Sequence, residues 1–449
     1  MQILSAQWLL PIFSEPIADG AIAVEENKIV AVGTFNQLKG KFPASRFESF
    51  GEAVIMPGFV NTHSHLEITA MRGFLDDVEE DFYSWLMKLT VTRAEKLDAE
   101  DITTAAICGA LEGVRAGVTC FADIGRFGKA GFEALKTAGL RGILFQETEF
   151  SPKDSEADTE FAKLKDKFLT LRETESELVK VGLSPHSPYT VSSKLFEKLT
   201  DYSLSENVKL TIHVAESKQE EEFFQTGEGF FADVYKKLNL EWNAPRQSSI
   251  RYLERLGVLR AKPLLAHCVK VSETDIDLIA ESDSSVAQCP KSNAKFGHGS
   301  APLEKFLDKN TRIGFGSDSV ASNNTCDILE EARFGALFAR NSSDRQRFLD
   351  AREIIKTATL GGAAALGLEA QIGTLETGKQ ADLIVVSLDN IAQMPIHDVY
   401  TALLFASNAR DVKMTMVAGK EIYRDGTATN VDENQLKSEM RAISKKMRK

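Results

Sequence analysis

The sequence predicts an α/β protein, in which a (β/α)₈ TIM-type barrel lies beside a small β-sandwich domain built from both chain ends. Between residues 55 and 365, eight short apolar runs alternate with amphipathic helical stretches. Several of the runs are apolar on both faces, as parallel strands covered by helices must be. The two ends of the chain consist instead of short strands separated by turns. Together these three observations favour the barrel with an added β domain.

The eight runs of the predicted barrel follow one another along residues 55–365. In order they read VIMPGFVNTH, GVTCFADI, RGILFQE, VKVGLSPHS, VKLTIHVAE, PLLAHC, SSVAQCP and TRIGFGSD. An open doubly wound sheet is the competing architecture. That fold would place a Gly-rich phosphate-binding turn after the first strand, and THSHLEI is not such a turn. The barrel is therefore the preferred prediction.

The chain ends are predicted to meet in one unit. Residues 1–54 contain GAIAVEENKIVAVGTF, and residues 366–430 contain ADLIVVSLD and VKMTMVAGKEIYRDGT. Two β-rich segments of this kind can pair into a small sandwich. Residues 431–449 are rich in charge and predict an exposed C-terminal helix.

Charge and cysteine content restrict the class of partner. A formal net charge of -12 argues against nucleic acid and against an anionic membrane surface. No apolar stretch reaches the roughly 20 residues that span a bilayer, and the N-terminus lacks a basic leader. Five scattered cysteines without a CxxC pair are typical of reduced thiols. We expect a cytoplasmic protein with a small-molecule substrate.

Histidines cluster at the predicted strand ends, where barrel enzymes carry their catalytic groups. His63 and His65 end the first run, and side chains at i and i+2 of a strand point the same way. Three more histidines and one aspartate end later runs: His186, His213, His267 and Asp318. Five of the seven histidines thus fall at one end of the predicted barrel. This placement indicates a metal site.

The predicted metal ligands are His63, His65, His213 and Asp318. Three imidazoles and one carboxylate suit a single divalent ion, zinc first, with iron as the alternative. Water on an open coordination position has a pKa near 7, so hydroxide is available at neutral pH. A second metal would need a bridging lysine or carboxylate at the end of the fourth run, and LSPHSP has neither.

Glu216, His267 and Asp318 are the predicted catalytic residues. Glu216 follows His213 by three positions and can pass a proton to the substrate. His267 can hold or polarise the hydroxide, and Asp318 can accept the proton of the water. His298 and His397 are expected to be structural. The long connection 217–247 is a candidate lid with three apolar residues: Phe223, Phe224 and Trp242.

Seven motifs occur in an order that resembles the amidohydrolase superfamily, in its mononuclear deaminase and chlorohydrolase branch. They are PGFVNTHSH, SPHSPYTVS, TIHVAES, AHCV, CPKSNAKFGHG, GSDSVASNNTCDILEEAR and IGTLETGKQADLIVV. The resemblance implies that a metal-bound hydroxide attacks a ring carbon and releases ammonia. It also implies that Glu216 and Asp318 shuttle protons.

Substrate recognition resembles two groups within that branch. FYSWL resembles the tryptophan loop of the methylthioadenosine and adenosylhomocysteine deaminases, with Trp85 as a stacking surface. SPHSPYT resembles the segment of that group whose histidine contacts the substrate, and this histidine is His186 here. Two positions depart from that group: Tyr83 replaces a ribose-binding glutamate, and Gln146 replaces an arginine of the third strand.

THSHLEIT and FQETE look more like the aminodeoxyfutalosine deaminases. This likeness gives Glu67 and Glu147 as candidate polar contacts. Gln146 is a further candidate contact, and Arg72 is a candidate to orient Glu67 or to hold an acidic group of the substrate. Both groups predict removal of the exocyclic amine from a purine-type ring of an adenosine derivative. The alternatives are a guanine or pterin deaminase, a triazine (chloro)hydrolase, and a non-catalytic metal-binding barrel. Dimers are common in this branch, so a homodimer stays open.

Overall fold

The computed structural model describes residues 1–343 and 345–448, without the side chain of Tyr83. The described N-terminal part forms β1 (Gln2–Leu9), β2 (Ile17–Glu25), β3 (Lys28–Thr34), β4 (Arg46–Ser49) and β5 (Ala53–Pro57). The middle forms β6 (Phe59–Ser64), β7 (Val118–Gly125), β8 (Arg141–Glu147), β9 (Val179–Ser184), β10 (Thr211–Val214), β11 (Leu264–His267), β12 (Ser285–Gln288) and β13 (Arg312–Phe315). The C-terminal part forms β14 (Leu383–Ser387), β15 (Val412–Val417), β16 (Lys420–Arg424) and β17 (Thr427–Ala428).

The eight middle strands are all parallel to their neighbours. Strands β6 to β9 form one four-stranded sheet in chain order, and β10 to β13 form another. Isolated parallel bridges join Leu183 to Leu210 and Ser64 to Asp318, at the two places where the sheets meet. Each predicted apolar run overlaps one of these strands. The prediction of an α/β fold with parallel strands is confirmed.

Helices follow the strands, as expected for parallel connections. The α-helices of six or more residues in the described middle part are Phe82–Lys96, Ala99–Arg115, Lys129–Ala138, Ala157–Arg172, Ser193–Glu206, Lys218–Gln225, Phe230–Lys237, Ser249–Arg255, Glu273–Glu281, Pro290–Lys295, Leu303–Asp308, Ile328–Asn341 and Ala351–Lys356. Helix Phe35–Lys41 precedes them and Glu433–Met447 follows them. Capping side chains in the local sequence fix where helices begin. At the start of helix Ala99–Arg115, for example, the Asp98 side chain accepts hydrogen bonds from the amides of Glu100 and Asp101.

The terminal strands meet in one nine-stranded sheet. Its order is β17-β16-β15-β14-β5-β1-β2-β3, with β4 beside β1. Strand β5 connects the two chain ends, because it pairs antiparallel with β14 and parallel with β1. The predicted boundary after residue 54 thus falls inside β5. Hydrogen-bonded pairs join all nine strands into this one sheet. The predicted folding of the chain ends into a two-layer sandwich stays a prediction.

A buried ion pair connects this sheet to the barrel strands. Arg141 begins β8, and its guanidinium contacts both oxygens of Asp382 just before β14, at 2.7 and 3.1 Å. Both side chains are almost fully buried. A bidentate pair with excluded water makes strong hydrogen bonds, and losing one partner leaves an uncompensated charge. The parallel strands of the middle part and the terminal sheet are therefore coupled.

The C-terminal helix Glu433–Met447 differs from the exposed helix that its charge predicts. Leu436, Ile443 and Met447 are buried on one face, while its charged residues face outward. Lys446 lies 2.7 Å from Asp98 at the start of helix Ala99–Arg115. Among the described residues, no helix has the length and apolar character needed to cross a membrane.

Candidate active site

Four side chains from opposite ends of the barrel region converge at the carboxyl ends of the strands. His63 lies on β6, His65 directly follows it, His213 lies on β10, and Asp318 follows β13 by three residues. Nε2 of His65 lies 3.0 Å from Nε2 of His213. Oδ1 of Asp318 lies 3.5 Å from Nε2 of His63 and 3.7 Å from Nε2 of His65. The predicted ligands are thus brought together.

Close backbone packing places Asp318 beside the histidine pair. A side chain at Gly316 would put its Cβ 2.6 Å from Cβ of His63, so only glycine allows this approach. The Asp318 amide then donates to the His63 carbonyl at 2.9 Å. Oδ2 of Asp318 accepts from Ser292 Oγ at 2.6 Å and from Ser322 Oγ at 2.9 Å. Oδ1 is left facing the histidines.

The histidine nitrogens have the form that a metal requires. Nδ1 of His213 donates to the His186 carbonyl at 2.9 Å, which leaves its Nε2 lone pair facing His65. Both ring nitrogens of His63 are buried without a hydrogen-bond partner among the described residues. Burial lowers the pKa of His63 to about 4 and that of His213 well below its usual value, so both rings are neutral. Burying a nitrogen without a hydrogen-bond partner destabilises the folded protein, and a cation bound between these nitrogens would offset that free energy.

The described side chains offer three overlapping groups of donors. One is His63, His65 and Asp318, within the predicted set. The other two add residues that the spacing of the sequence did not place among the ligands: His267 joins His63 and His213, and Glu147 joins His65 and His213. Imidazole and carboxylate donors fit zinc, and three nitrogens with one oxygen match its usual tetrahedral set. The cluster therefore fits a divalent cation.

Glu216 and His267 lie beside this cluster. Nδ1 of His267 donates to Asn293 Oδ1 at 2.9 Å, and His267 has a φ of 73°, a backbone conformation that favours glycine. Nε2 of His267 lies 3.8 Å from Oε1 of Glu216. Burial raises the pKa of Glu216 to about 7. Burial lowers the pKa of His267, but the Glu216 and Asp318 carboxylates raise it more, so the net shift is upward.

His298 was expected to be structural, yet it lies against the same glutamate. Its Nε2 is 3.7 Å from Oε1 of Glu216. Asn293, which holds His267, was also missed. Both residues follow the strand β12 in the motif CPKSNAKFGHG. The sequence signal was a histidine between two glycines directly after a strand of the barrel.

A cavity of about 360 Å³ opens outward from the histidine cluster. Helix Phe82–Lys96 forms one wall with side chains spaced three or four residues apart: Phe82, Trp85, Leu86, Leu89 and Arg93. Helix Phe230–Lys237 contributes the facing wall with Phe230, Phe231, Val234 and Tyr235. Mostly apolar walls with a few polar groups at one end are typical of small-molecule sites.

Four of the five predicted substrate contacts line this cavity, namely Glu67, Trp85, Glu147 and His186. Gln146 does not, because successive strand residues point to opposite faces and Glu147 faces the cavity. The Gln146 amide donates instead to the carbonyls of Gly125 and Arg126.

The carboxylate of Glu67 is held by backbone. Its oxygens accept the amides of Phe127 at 3.1 Å and Gly128 at 2.7 Å. Arg72 pairs with Glu112 and not with Glu67. The side chain of Tyr83 lies outside the described residues.

The predicted lid residues form a packed aromatic cluster behind the cavity. Phe223 stacks on Trp242 with ring centroids 4.2 Å apart, and Phe224 meets the same indole at 5.3 Å. Phe223 and Phe224 are fully buried, and none of the three residues is part of the described cavity wall. They support the helix that carries Phe231, since the Phe223 and Phe231 rings are 5.9 Å apart.

Comparison with known proteins agrees with this geometry. A 5-methylthioadenosine/S-adenosylhomocysteine deaminase of Moorella thermoacetica is 31% identical over 445 residues, which cover 98% of this chain and 97% of the relative. A 5'-deoxyadenosine deaminase of Methanosarcina mazei is 29% identical, over 96% of this chain and 94% of the relative. The crystal structure of an adenosine deaminase from Xanthomonas campestris with bound zinc has a TM-score of 0.87 and 28% identity, and covers 100% of this chain and 98% of that one. The amidohydrolase family pattern matches residues 54–422. The chain therefore belongs to the amidohydrolase family.

Proposed function

We propose that this chain is a metal-dependent aminohydrolase that removes the exocyclic amine of a purine-type ring in an adenosine derivative. One observation carries the proposal: His63, His65, His213 and Asp318 converge at the inner end of a cavity that Glu216 also lines. The relatives named as deaminases of adenosine derivatives support the choice of ring. In the overall reaction the ring carbon gains the oxygen of water and loses its amino group as ammonia.

His63, His65, His213 and Asp318 would hold one divalent ion, zinc first and iron as the alternative. Two observations support this assignment: the buried His63 nitrogens have no hydrogen-bond partner among the described residues, and Oδ1 of Asp318 faces the histidines while Oδ2 is held by two serines. When bound, such an ion supplies Lewis acidity and lowers the pKa of water at the site. His267 would orient that water from its fixed position on Asn293.

The pKa values of Asp318 and Glu216 are shifted in opposite directions, and each shift suits one role. Burial raises the pKa of Asp318, but His63 and the neighbouring imidazoles lower it more, to well below its usual value. Asp318 is therefore a carboxylate that can accept a proton from water. Glu216, with a pKa of about 7, carries a proton in a large fraction of molecules at neutral pH. It can give this proton to a ring nitrogen, which makes the adjacent carbon more electrophilic.

The cavity walls select a flat ring with an apolar extension. Trp85 and the nearby Phe296 ring, 5.0 Å from it, make an aromatic surface against which a purine can stack. His186 is fixed by Ser187 and Thr190, whose hydroxyls lie 3.0 and 2.9 Å from its Nδ1. Its Nε2 is then available to the substrate. The apolar outer walls suit a 5'-modified nucleoside.

The direct test is ammonia release from a panel of nucleosides. Protein loaded with zinc would be incubated with adenosine, 5'-deoxyadenosine, methylthioadenosine, adenosylhomocysteine and aminodeoxyfutalosine. We expect ammonia and the corresponding inosine-type product from at least one of them. Guanine, a pterin and an aminotriazine serve as controls for the ring. Release from a control alone, or from none of the compounds, would refute the adenosine assignment.

The proposal extends to the architecture that carries the site. We place the site on one closed barrel of residues 55–365, and the two isolated bridges between the four-stranded sheets support this closure. Residues 1–54 and 366–430 would form the adjoining sandwich domain. Five free cysteines support a reducing, cytoplasmic environment.

A further inference from the structure

The loop that follows helix Pro290–Lys295 places a further polar group, His298, beside Glu216. Gly297 and Gly299 have φ values of 67° and 106°, so the loop turns sharply on both sides of His298. The His298 amide donates to the Asn293 carbonyl at 2.9 Å. Because the Asn293 side chain accepts the proton of His267 Nδ1, a single residue fixes the position of both histidines.

The ring of His298 is held between two aromatic side chains. The Phe296 ring stacks on it at 5.3 Å, and the edge of Phe82 meets it at 5.1 Å. The residue is 5% exposed, and its Nε2 has no hydrogen-bond partner among the described residues. Burial lowers its pKa to about 4, so the ring is neutral at physiological pH. A neutral imidazole carries one N–H group, and when buried this group needs a hydrogen-bond acceptor.

The carboxyl group of Glu216 is an acceptor close to this nitrogen. Nε2 of His298 lies 3.7 Å from Oε1, and Nε2 of His267 lies 3.8 Å from the same oxygen. Both separations exceed hydrogen-bond length by less than about 1 Å. Catalytic hydrogen bonds are often long in a ligand-free site and shorten when substrate fills it. Both contacts are made by Oε1, and Glu216 also lines the cavity.

We infer that His298 is a positioning residue for Glu216. Its Nε2–H donates to Oε1 and holds the rotamer in which the other oxygen meets the ring nitrogen of the substrate. This role rests on the proposed aminohydrolase function, in which Glu216 delivers a proton. His298 is not part of the described cavity lining, and its ring contacts Phe82, Phe296 and Glu216.

Two substitutions separate this role from simple packing. His298→Phe keeps a flat ring between Phe82 and Phe296 but removes the donor. We expect kcat to fall by up to about 100-fold, since a misplacement of about 1 Å has this effect, while KM and metal content change little. His298→Gln, which places an amide N–H near the former Nε2, should recover much of the loss. The exposed His397 gives a matched control, and His397→Phe should leave kcat unchanged.

A double-mutant cycle with Glu216→Gln tests the connection. If His298 acts through Glu216, His298→Phe has little further effect once Glu216 is Gln. An equal loss in both backgrounds, or an unchanged kcat for His298→Phe, would overturn the inference. Crystal structures add a readout without turnover: His298→Phe should show Glu216 in a second rotamer, and a single unchanged rotamer would count against it. Absence of any wild-type turnover would instead contradict the proposed function.

Discussion

Replacing Glu216 with glutamine tests the proposed proton transfer with almost no change of shape. Glutamine fills the same space and can hydrogen bond, but it cannot transfer a proton. Loss of a positioned general acid costs about 10²- to 10⁴-fold in rate, or about 3–5 kcal/mol in the activation barrier. Glu216 is buried, and its Oε1 lies 3.8 Å from Nε2 of His267 beside the proposed ligands. We therefore expect a loss in this range for Glu216→Gln.

The pH profile gives the same prediction a second measurement. The pKa of Glu216 is raised by burial to about 7, and the protonated form is the one that donates. The rate of the wild-type protein should therefore fall as the pH rises through about 7, while the variant should show no such decline. Steady-state ammonia assays between pH 5 and 9, with metal analysis of each sample, measure both effects. A variant with full metal content and a near-normal rate would refute the role of Glu216.

Three further predictions concern the metal, a buried carboxyl group and the ion pair between barrel and sheet. Asp318→Asn should lower both bound metal and turnover, because an amide is a weaker ligand and a poor base; normal metal content by elemental analysis would contradict this. Burial raises the pKa of Glu67 from 4.5 to about 7, so the protonated form of this group favours the folded protein. This contribution to stability is fully present below pH 4.5 and is lost as the pH rises through 7. The unfolding free energy of the wild-type protein should therefore fall by on the order of 3 kcal/mol between pH 5 and pH 8, as measured by urea titration, and Glu67→Gln should remove this fall. The same fall in both proteins would contradict the prediction. Arg141→Ala should lower the unfolding free energy by about 3–5 kcal/mol, since it leaves Asp382 buried and unpaired, and an unchanged melting temperature would show that the pair is dispensable.

The parts of the site that follow strand periodicity could be predicted from the sequence. His63 and His65 share a face because they are two residues apart on one extended segment. Asp318 could be placed with them because the carboxyl ends of parallel strands meet at one end of the fold. The alternation of side chains along a strand also excludes Gln146 from the cavity, because its neighbour Glu147 faces the cavity.

Other contacts depend on tertiary structure that no local pattern encodes. His298 reaches Glu216 from a loop in which Gly297 and Gly299 both have positive φ values. The carboxylate of Glu67 faces the cavity but is already hydrogen bonded to the amides of Phe127 and Gly128. The aromatic residues at 223, 224 and 242 resembled a lid in composition, yet they pack on one another and support the cavity wall from behind.

Metal analysis combined with a metal-soaked crystal tests the proposed site most directly. We predict about one divalent ion per chain, with density between His63, His65, His213 and Asp318, and zinc as the element that X-ray fluorescence identifies. Removal of the ion with a chelator should abolish ammonia release, and zinc should restore it. A protein that deaminates adenosine derivatives with no ion between these four side chains would contradict the proposed chemistry.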